Sequence, residues 1–283
     1  MRVSSVLRSS TSVFRNSTDP LRSVAKLGLE EVLWARAALT VRRNSRVLST
    51  PAVPSALLKV APTAVMQDDA DWREAVDEAR KRGLPLHRDL PKNWDTVGAA
   101  STVLARVGST GRVLDAGAAR YSTLLIWLYL YGLRDLVGIN LEFRRSVHHG
   151  HGGCVAFEPG DATATRFEAG TFDAVTCLSV IEHGVPIPEF LAEAARLLRP
   201  GGVLVISTDY DAQPPDTTGH TAYGAAVHIF SPTEIEELIK HADKAGFDLD
   251  GPFSPDHPQR PVHWKRIGLR FTFVRLTFTR RAA

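Results

Sequence analysis

Asp115, Asp161 and Glu182 each stand just beyond a short apolar run, and Asn140 ends another. That repeated placement is the chain's first chemical signal. In Arg112-Val113-Leu114-Asp115-Ala116-Gly117-Ala118-Ala119 the aliphatic residues predict a strand, and Asp115 ends it. Gly117, Ala118 and Ala119 are small enough for a ligand to approach the backbone closely. The apolar stretch Leu124 to Leu130 predicts a helix. The turn therefore lies between a strand and a helix N-terminus, where open α/β sheets bind ligands. A dinucleotide turn would carry G-x-G-x-x-G and offer its helix end to a pyrophosphate. Here a carboxylate comes first and only Gly117 of those glycines is present, which suits a ligand with a cationic end and no phosphate.

The turn resembles the first motif of the class I S-adenosylmethionine-dependent methyltransferases, and the resemblance runs from about Pro91 to Arg280. Its further parts are Gly160-Asp161-Ala162, Ser179-Val180-Ile181-Glu182-His183-Gly184, and the helix-turn-strand block Leu197-Leu198-Arg199-Pro200-Gly201-Gly202-Val203. The resemblance implies a doubly wound, Rossmann-like α/β domain of seven mostly parallel strands, with S-adenosylmethionine as cofactor. It implies that Asp115, Gly117, Ala118 and Ala119 hold the methionine part and that Asn140 meets the ribose. Asp161 and Ala162 would meet the adenine, and Ser179 and Glu182 would face the transferring methyl. The chain departs from the family at Asn140, where an acid usually takes both ribose hydroxyls, because an amide lacks a carboxylate's charge assistance. Glu142, two residues on, could substitute. It departs again at Ala119 and Tyr121, where glycines are usual.

Attack on a sulfonium methyl needs alignment more than acid–base strength. If the acceptor is a hydroxyl, a base near neutral pKa helps, and His183 is the candidate catalytic residue. Asp209, Tyr210, Tyr223 and His228, with His220, fall on the later loop, where this fold usually places substrate contacts. Ser207-Thr208-Asp209-Tyr210 followed by His228-Ile229-Phe230-Ser231 also resembles small-molecule methyltransferases of bacterial glycan and secondary-metabolite genes. The expected function is methyl transfer to a small molecule or glycan, at oxygen rather than nitrogen. A catalytically silent cofactor-binding or scaffold protein, and a nicotinamide-dependent oxidoreductase, stand as alternatives. No metal site is expected. His148-His149-Gly150-His151 precedes the third strand in what reads as a mobile loop, and Asp209 with Asp211 lacks a third ligand.

Alternating strands and helices must position these groups. Strands are expected at 136–140, 154–157, 172–179 and 203–208, with a long edge strand or hairpin over 267–279. Helices are expected at 68–82 closed by Gly83, from a cap at Asn93 or Asp95, and at 188–198 stopped by Pro200-Gly201-Gly202. Another follows the capping box Ser231-Pro232-Thr233-Glu234. Residues 1–83 read as an N-terminal helical extension and linker, and 84–283 as the cofactor-binding domain. Within the extension, 21–41 predicts an amphipathic helix with Val24, Leu27, Val32 and Leu39 on or near one face. It could pack on the domain, on a second copy in a homo-oligomer, or, through residues 20–43, on a membrane surface. A net charge of +3 without a polybasic run does not indicate a nucleic-acid partner. Cys154 and Cys177 lie in strand-like runs and read as buried thiols in a reducing, cytoplasmic setting, although the Arg- and Ser-rich start also fits an organellar transit peptide. No apolar run approaches the roughly 20 residues that span a bilayer.

Overall fold

The computed structural model describes residues 31–40, 57–120, 122–222 and 225–282. Tyr121, Tyr223 and the remainder of the expected 21–41 helix lie outside the described residues. The elements in chain order are α1 (31–40), β1 (Ala64–Val65), α2 (Asp69–Lys81), α3 (Lys92–Arg106), β2 (Arg112–Ala116) and α4 (Thr123–Leu130). They continue with β3 (Asp135–Asn140), β4 (Val147–His149), β5 (Val155–Pro159), β6 (Phe172–Leu178), α5 (Ile187–Leu197) and β7 (Leu198–Tyr210). The last are β8 (Thr221–Ala222), β9 (Ala225–Ala226), α6 (Pro232–Lys244), β10 (Phe247–Leu249), β11 (Val262–Trp264) and β12 (Leu269–Arg280).

The main sheet runs β4-β5-β3-β2-β6-β7-β12. Its five central strands are parallel, and β12 is antiparallel to β7. Among the described residues the sheet holds ten strands rather than the seven expected, because β1, β4, β10 and β11 join its two sides, around a mostly parallel α/β centre. The outer side of β12 is covered along its length by β11, β1 and β10, all antiparallel to it. Short strands of this kind blunt a sheet edge against unwanted pairing. β12 was expected at the edge with alternating faces. It lies inside instead, and residues 271–278 are all buried because both its faces are packed.

Alternation along the central strands feeds two cores. Val113, Val155, Phe157 and Val205 face α3 and α4, while Leu114, Val137, Val175 and Ile206 face α5 and α6. Every residue of α4 is buried, as an all-apolar helix requires. α1 completes its cover: Trp34 is buried, meets Tyr129 edge-on at 6.1 Å and stacks on His149 at 5.2 Å. The histidine tract is therefore partly structural, with His149 held on β4 rather than in a mobile loop. Val32 and Leu39, expected on the apolar side of this helix, are both 54% exposed; Trp34 and Ala37 form the packed face.

Local signals set most boundaries. Asp68 caps α2 by accepting from Ala70 and Asp71 N–H, and Gly83 follows at φ +67. Ser231 and Glu234 form the full capping box of α6. α3 corrects the expected cap: it begins at Lys92 behind Pro91 with no side-chain cap. Asn93 instead pins the preceding turn, accepting from His87 N–H at 2.9 Å and donating to Leu90 O at 2.8 Å. Pro200-Gly201-Gly202 is likewise no separate turn. β7 starts directly after α5, and a register shift between Phe172 and Ala174 absorbs those residues. Cys154 and Cys177 are free thiols, Cys177 fully buried. Among the described residues no helix is long and apolar enough to cross a membrane.

Candidate active site

Because β2, β3, β5, β6 and β7 are parallel, their C-terminal ends share one rim. Asp115 is 4% exposed, and its carboxylate accepts from Thr176 Oγ1 at 2.8 Å and Ser122 Oγ at 3.1 Å. Burial lifts its pKa to about 6, the two hydroxyls opposing it only in part. Gly117 turns the chain at φ +81, and a Cβ there would fall 2.5 Å from Val180. Asn140 braces this loop: its Nδ2 donates to Gly117 O and Ala118 O, both at 3.2 Å, and its Oδ1 accepts from Glu142 N–H. Ala119 O accepts from Ser122 N–H at 2.7 Å. A further tether comes from α1, where Trp34 Nε1 donates to Arg120 O at 3.0 Å.

At the β5 end, exposed Asp161 accepts through Oδ1 from Thr163 N–H and Oγ1, an Asx turn that leaves Oδ2 without a hydrogen bond to the described residues. Ala162 is half-buried beside it. Near this turn Ile139, Pro159, Gly160 and Phe167 help line a cavity of about 150 Å³. At the β6 end Ser179 holds φ +52, the one positive φ among described non-glycine residues, and its Oγ lies 3.3 Å from Asp95 Oδ2. Glu182 is buried and accepts from Thr208 Oγ1 at 3.0 Å.

The β6 and β7 ends meet in a narrow cleft lined by Glu182, His183, Asp209, His228, Trp264, Ala222 and Val227. Four residues expected from sequence are thus brought together. Burial, then the charge of Lys92, holds the His183 imidazole down to about 4, so the ring is neutral near pH 7. His228 is partly committed elsewhere, with Nε2 3.0 Å from Glu234 Oε1 at the start of α6.

Sequence reasoning passed over the charges that surround this cleft. Lys92 and Asp95 lie on α3 and Arg275 on β12, and no motif links them. Burial opposes the Lys92 charge, but Asp209, Glu182 and Asp95 outweigh it and raise the ammonium's pKa. Burial lifts Asp95 to about 7 against Lys92 and Arg275. Asp95 Oδ1 has no hydrogen-bond partner. Arg275, 1% exposed, lies 4.4 Å from the Trp94 ring centroid and donates to Ala61 O at 2.8 Å; burial lowers its pKa to about 10. The available signal was Gly98: a glycine inside a helix often marks a close approach, and a Cβ there would fall 2.0 Å from Arg275 Nη1.

Other expected site residues are placed apart. β-strand alternation turns Tyr210 to the face opposite Asp209, where it is fully buried and donates to Pro255 O at 2.7 Å. Asp211 is bound through both oxygens by Arg260 at 2.5 and 2.8 Å, which makes it a clasp on the loop after β7. His220 is bonded through its backbone to Thr217 and Val227 and does not line the cleft.

A rim with Asp115, Asp95 and Glu182 buried beside it, Asp95 retaining an orphaned oxygen, fits a ligand bearing positive charge. Sheet order and rim together define a class I methyltransferase-type fold. Residues 114–206 match the family described as "Methyltransferase domain". The matched segment runs from β2 into β7 and contains Asp115, Asn140, Asp161, Ser179 and Glu182. Over 139 residues it is 32% identical to a ubiquinone biosynthesis O-methyltransferase of Psychrobacter cryohalolentis, covering 47% of this chain and 50% of that protein. Over 162 residues it is 30% identical to the erythromycin 3''-O-methyltransferase of Saccharopolyspora erythraea, covering 50% and 52%. The chain thus spans about half the length of these curated relatives. In fold it is similar to the crystal structure of the (4+2)-cyclase SpnF, with TM-score 0.52 and 13% identity over 75% of this chain and 94% of that one. That likeness concerns architecture alone, since one fold hosts many reactions.

Proposed function

We propose that this protein transfers a methyl group from S-adenosylmethionine to a hydroxyl of a small molecule or glycan. The observation that carries the reading is Asp115, a buried carboxylate at the end of β2 whose side-chain partners among the described residues are two hydroxyls. Such a group is costly in the empty protein and useful to a cationic ligand. Bound S-adenosylmethionine would supply a sulfonium methyl open to attack by an oxygen. In this reading Asp115 with Gly117, Ala118 and Ala119 holds the methionine part, and Asp161 Oδ2 with Ala162 takes the adenine. Asn140 holds the loop, and Glu142, exposed two residues on, offers the carboxylate for the ribose. Ser179 and Glu182 stand at the reacting end. The cleft of Glu182, His183, Asp209 and His228 receives the acceptor, with Trp264 as an apolar wall. Preference for oxygen is supported by the two curated relatives, both O-methyltransferases by name.

Calorimetry on the full chain with S-adenosylmethionine, S-adenosylhomocysteine and NAD tests the cofactor. Both sulfur nucleotides are expected to bind, NAD is not, and Asp115→Ala should remove the binding. No heat from either sulfur nucleotide at millimolar concentration would overturn the reading. Methyl-labelled cofactor offered with candidate phenols, sugars and cell extract identifies the acceptor. Vesicle co-flotation and sedimentation velocity on the same protein test membrane-surface contact or self-association through the extension.

A further inference from the structure

Asp209 lines the acceptor cleft beside Glu182, His183 and Trp264 and is 6% exposed. Neither of its carboxylate oxygens makes a hydrogen bond or ion pair with the described residues. The carboxyl, largely buried yet not fully enclosed, therefore turns its free hydrogen-bonding capacity to the cleft, where a ligand can use it. The neighbouring charges come from several elements. Glu182 follows β6, Lys92 and Asp95 lie on α3, Asp89 precedes α3, and His228 enters from the loop before α6. Arg275 of β12 faces Asp95 from the other side. The Lys92 ammonium sits 5.3 Å from the Phe273 ring centroid and makes no ion pair within 4 Å among the described residues. It acts on the carboxylates across the cleft without quenching any one of them.

We propose that Asp209 is the proton-accepting catalytic residue for a hydroxyl acceptor in this cleft, with Lys92 and Glu182 as positioning residues that set when it holds a proton. This rests on the methyl-transfer reading above. As the acceptor oxygen bonds to the methyl carbon, the carbon–sulfur bond breaks with its electron pair left on sulfur. Asp209 takes the proton the oxygen gives up and later releases it to water. Atoms and charge balance, because one sulfonium charge and one carboxylate charge disappear together. Burial first, then Lys92, disfavours an imidazolium at His183, while at Asp209 Lys92 works against burial. The same ammonium favours an ionised carboxylate and disfavours an imidazolium, so His183 is left as a neutral hydrogen-bonding group.

The buried set also lacks one positive charge. Asp95, Glu182 and Asp209 face the cations Lys92 and Arg275, with Asp89 adding a further negative charge and His228 partly engaged by Glu234, so the protein without ligand meets that imbalance with a proton on the Asp209–Glu182 pair. Burial raises both pKa values; the Glu182 charge adds to the rise at Asp209, while Lys92, Thr208 and His228 oppose it at Glu182. A bound sulfonium supplies the missing charge and should drive that proton off.

Calorimetry of the full chain in two buffers of different ionisation enthalpy reads this directly. Binding of S-adenosylmethionine is expected to release up to one proton near neutral pH, and binding of uncharged-sulfur S-adenosylhomocysteine far less. Asp209→Asn should abolish the difference, and an infrared band of a protonated carboxyl should fade when S-adenosylmethionine is added to wild type only. With any acceptor the wild type methylates, Asp209→Asn should lower kcat by about 10²–10⁴-fold, and by linkage should weaken binding of S-adenosylmethionine more than that of S-adenosylhomocysteine. Should Asp209→Asn not fold, Lys92→Met is expected to move the proton release to higher pH. Equal proton exchange with both nucleotides in wild type, or full release retained in Asp209→Asn, overturns the assignment while leaving methyl transfer intact. Absence of binding by either nucleotide overturns methyl transfer instead.

Discussion

Replacing Asp115 by Asn should make the protein more stable and useless for its cofactor. Burial raises the Asp115 pKa from 3.8 to about 6, a difference of about 2 units with no cation among its causes. At ~1.4 kcal/mol per unit, the ionised folded form is disfavoured by about 3 kcal/mol. An asparagine keeps partners for the Thr176 and Ser122 hydroxyls, because its oxygen accepts and its nitrogen donates. Imperfect geometry removes part of the gain, leaving about 1–3 kcal/mol at pH 7.5. The sign follows from linkage. The folded wild type binds more protons than the unfolded chain between pH 3.8 and about 6, so its stability falls as pH rises through that window. The advantage of Asp115→Asn is therefore full above about pH 6, roughly half at pH 5, and a few tenths of a kcal/mol near pH 4. Urea unfolding of both proteins at pH 7.5 and 5, with and without S-adenosylmethionine, is the assay. At a hundred times its Kd the ligand should stabilise the wild type by about 2.7 kcal/mol and leave Asp115→Asn unmoved. An asparagine variant less stable than wild type at pH 7.5, or an advantage that does not shrink at pH 5, would refute the argument.

Three further outcomes follow from the packing. Gly98→Ala should lower stability by about 1–3 kcal/mol despite alanine's better helix propensity, since its Cβ would fall 2.0 Å from the buried Arg275 guanidinium; a stabilised variant in thermal melts would contradict this. Trp34→Phe keeps the ring packing but loses the N–H to Arg120 O, and about 1 kcal/mol with it. Its affinity for S-adenosylmethionine should fall too, and unchanged calorimetric affinity would mean that α1 does not hold the loop. Arg260→Met leaves the 1%-exposed Asp211 side chain without its main partner. The loss should be about 2–3 kcal/mol, below the roughly 3–5 of a fully buried pair because the Arg260 side chain is 43% exposed. Hydrogen exchange over 211–222 should accelerate, and unaltered exchange there would remove Arg260 as the loop's clasp.

What the sequence by itself determined was local. The apolar runs placed all five parallel strands, Asp68 and Gly83 bounded α2, and Ser231 with Glu234 opened α6, because each signal acts through backbone groups only a few residues away. Parallel pairing then carried Asp115, Asn140, Asp161, Ser179 and Glu182 to one rim, so their neighbourhood was legible from strand order alone. The tertiary structure decided what each group has left to offer. Asn140 is occupied with the loop, Tyr210 is turned to the far face, and Asp211 is neutralised by a residue 49 positions away. It also decided which charges share the interior. Lys92, Asp95, Glu182, Asp209 and Arg275 come from distant elements, and no spacing joins them. Their protonation depends on burial and on one another's distance, which exist only once the helix of Lys92 has docked on the sheet.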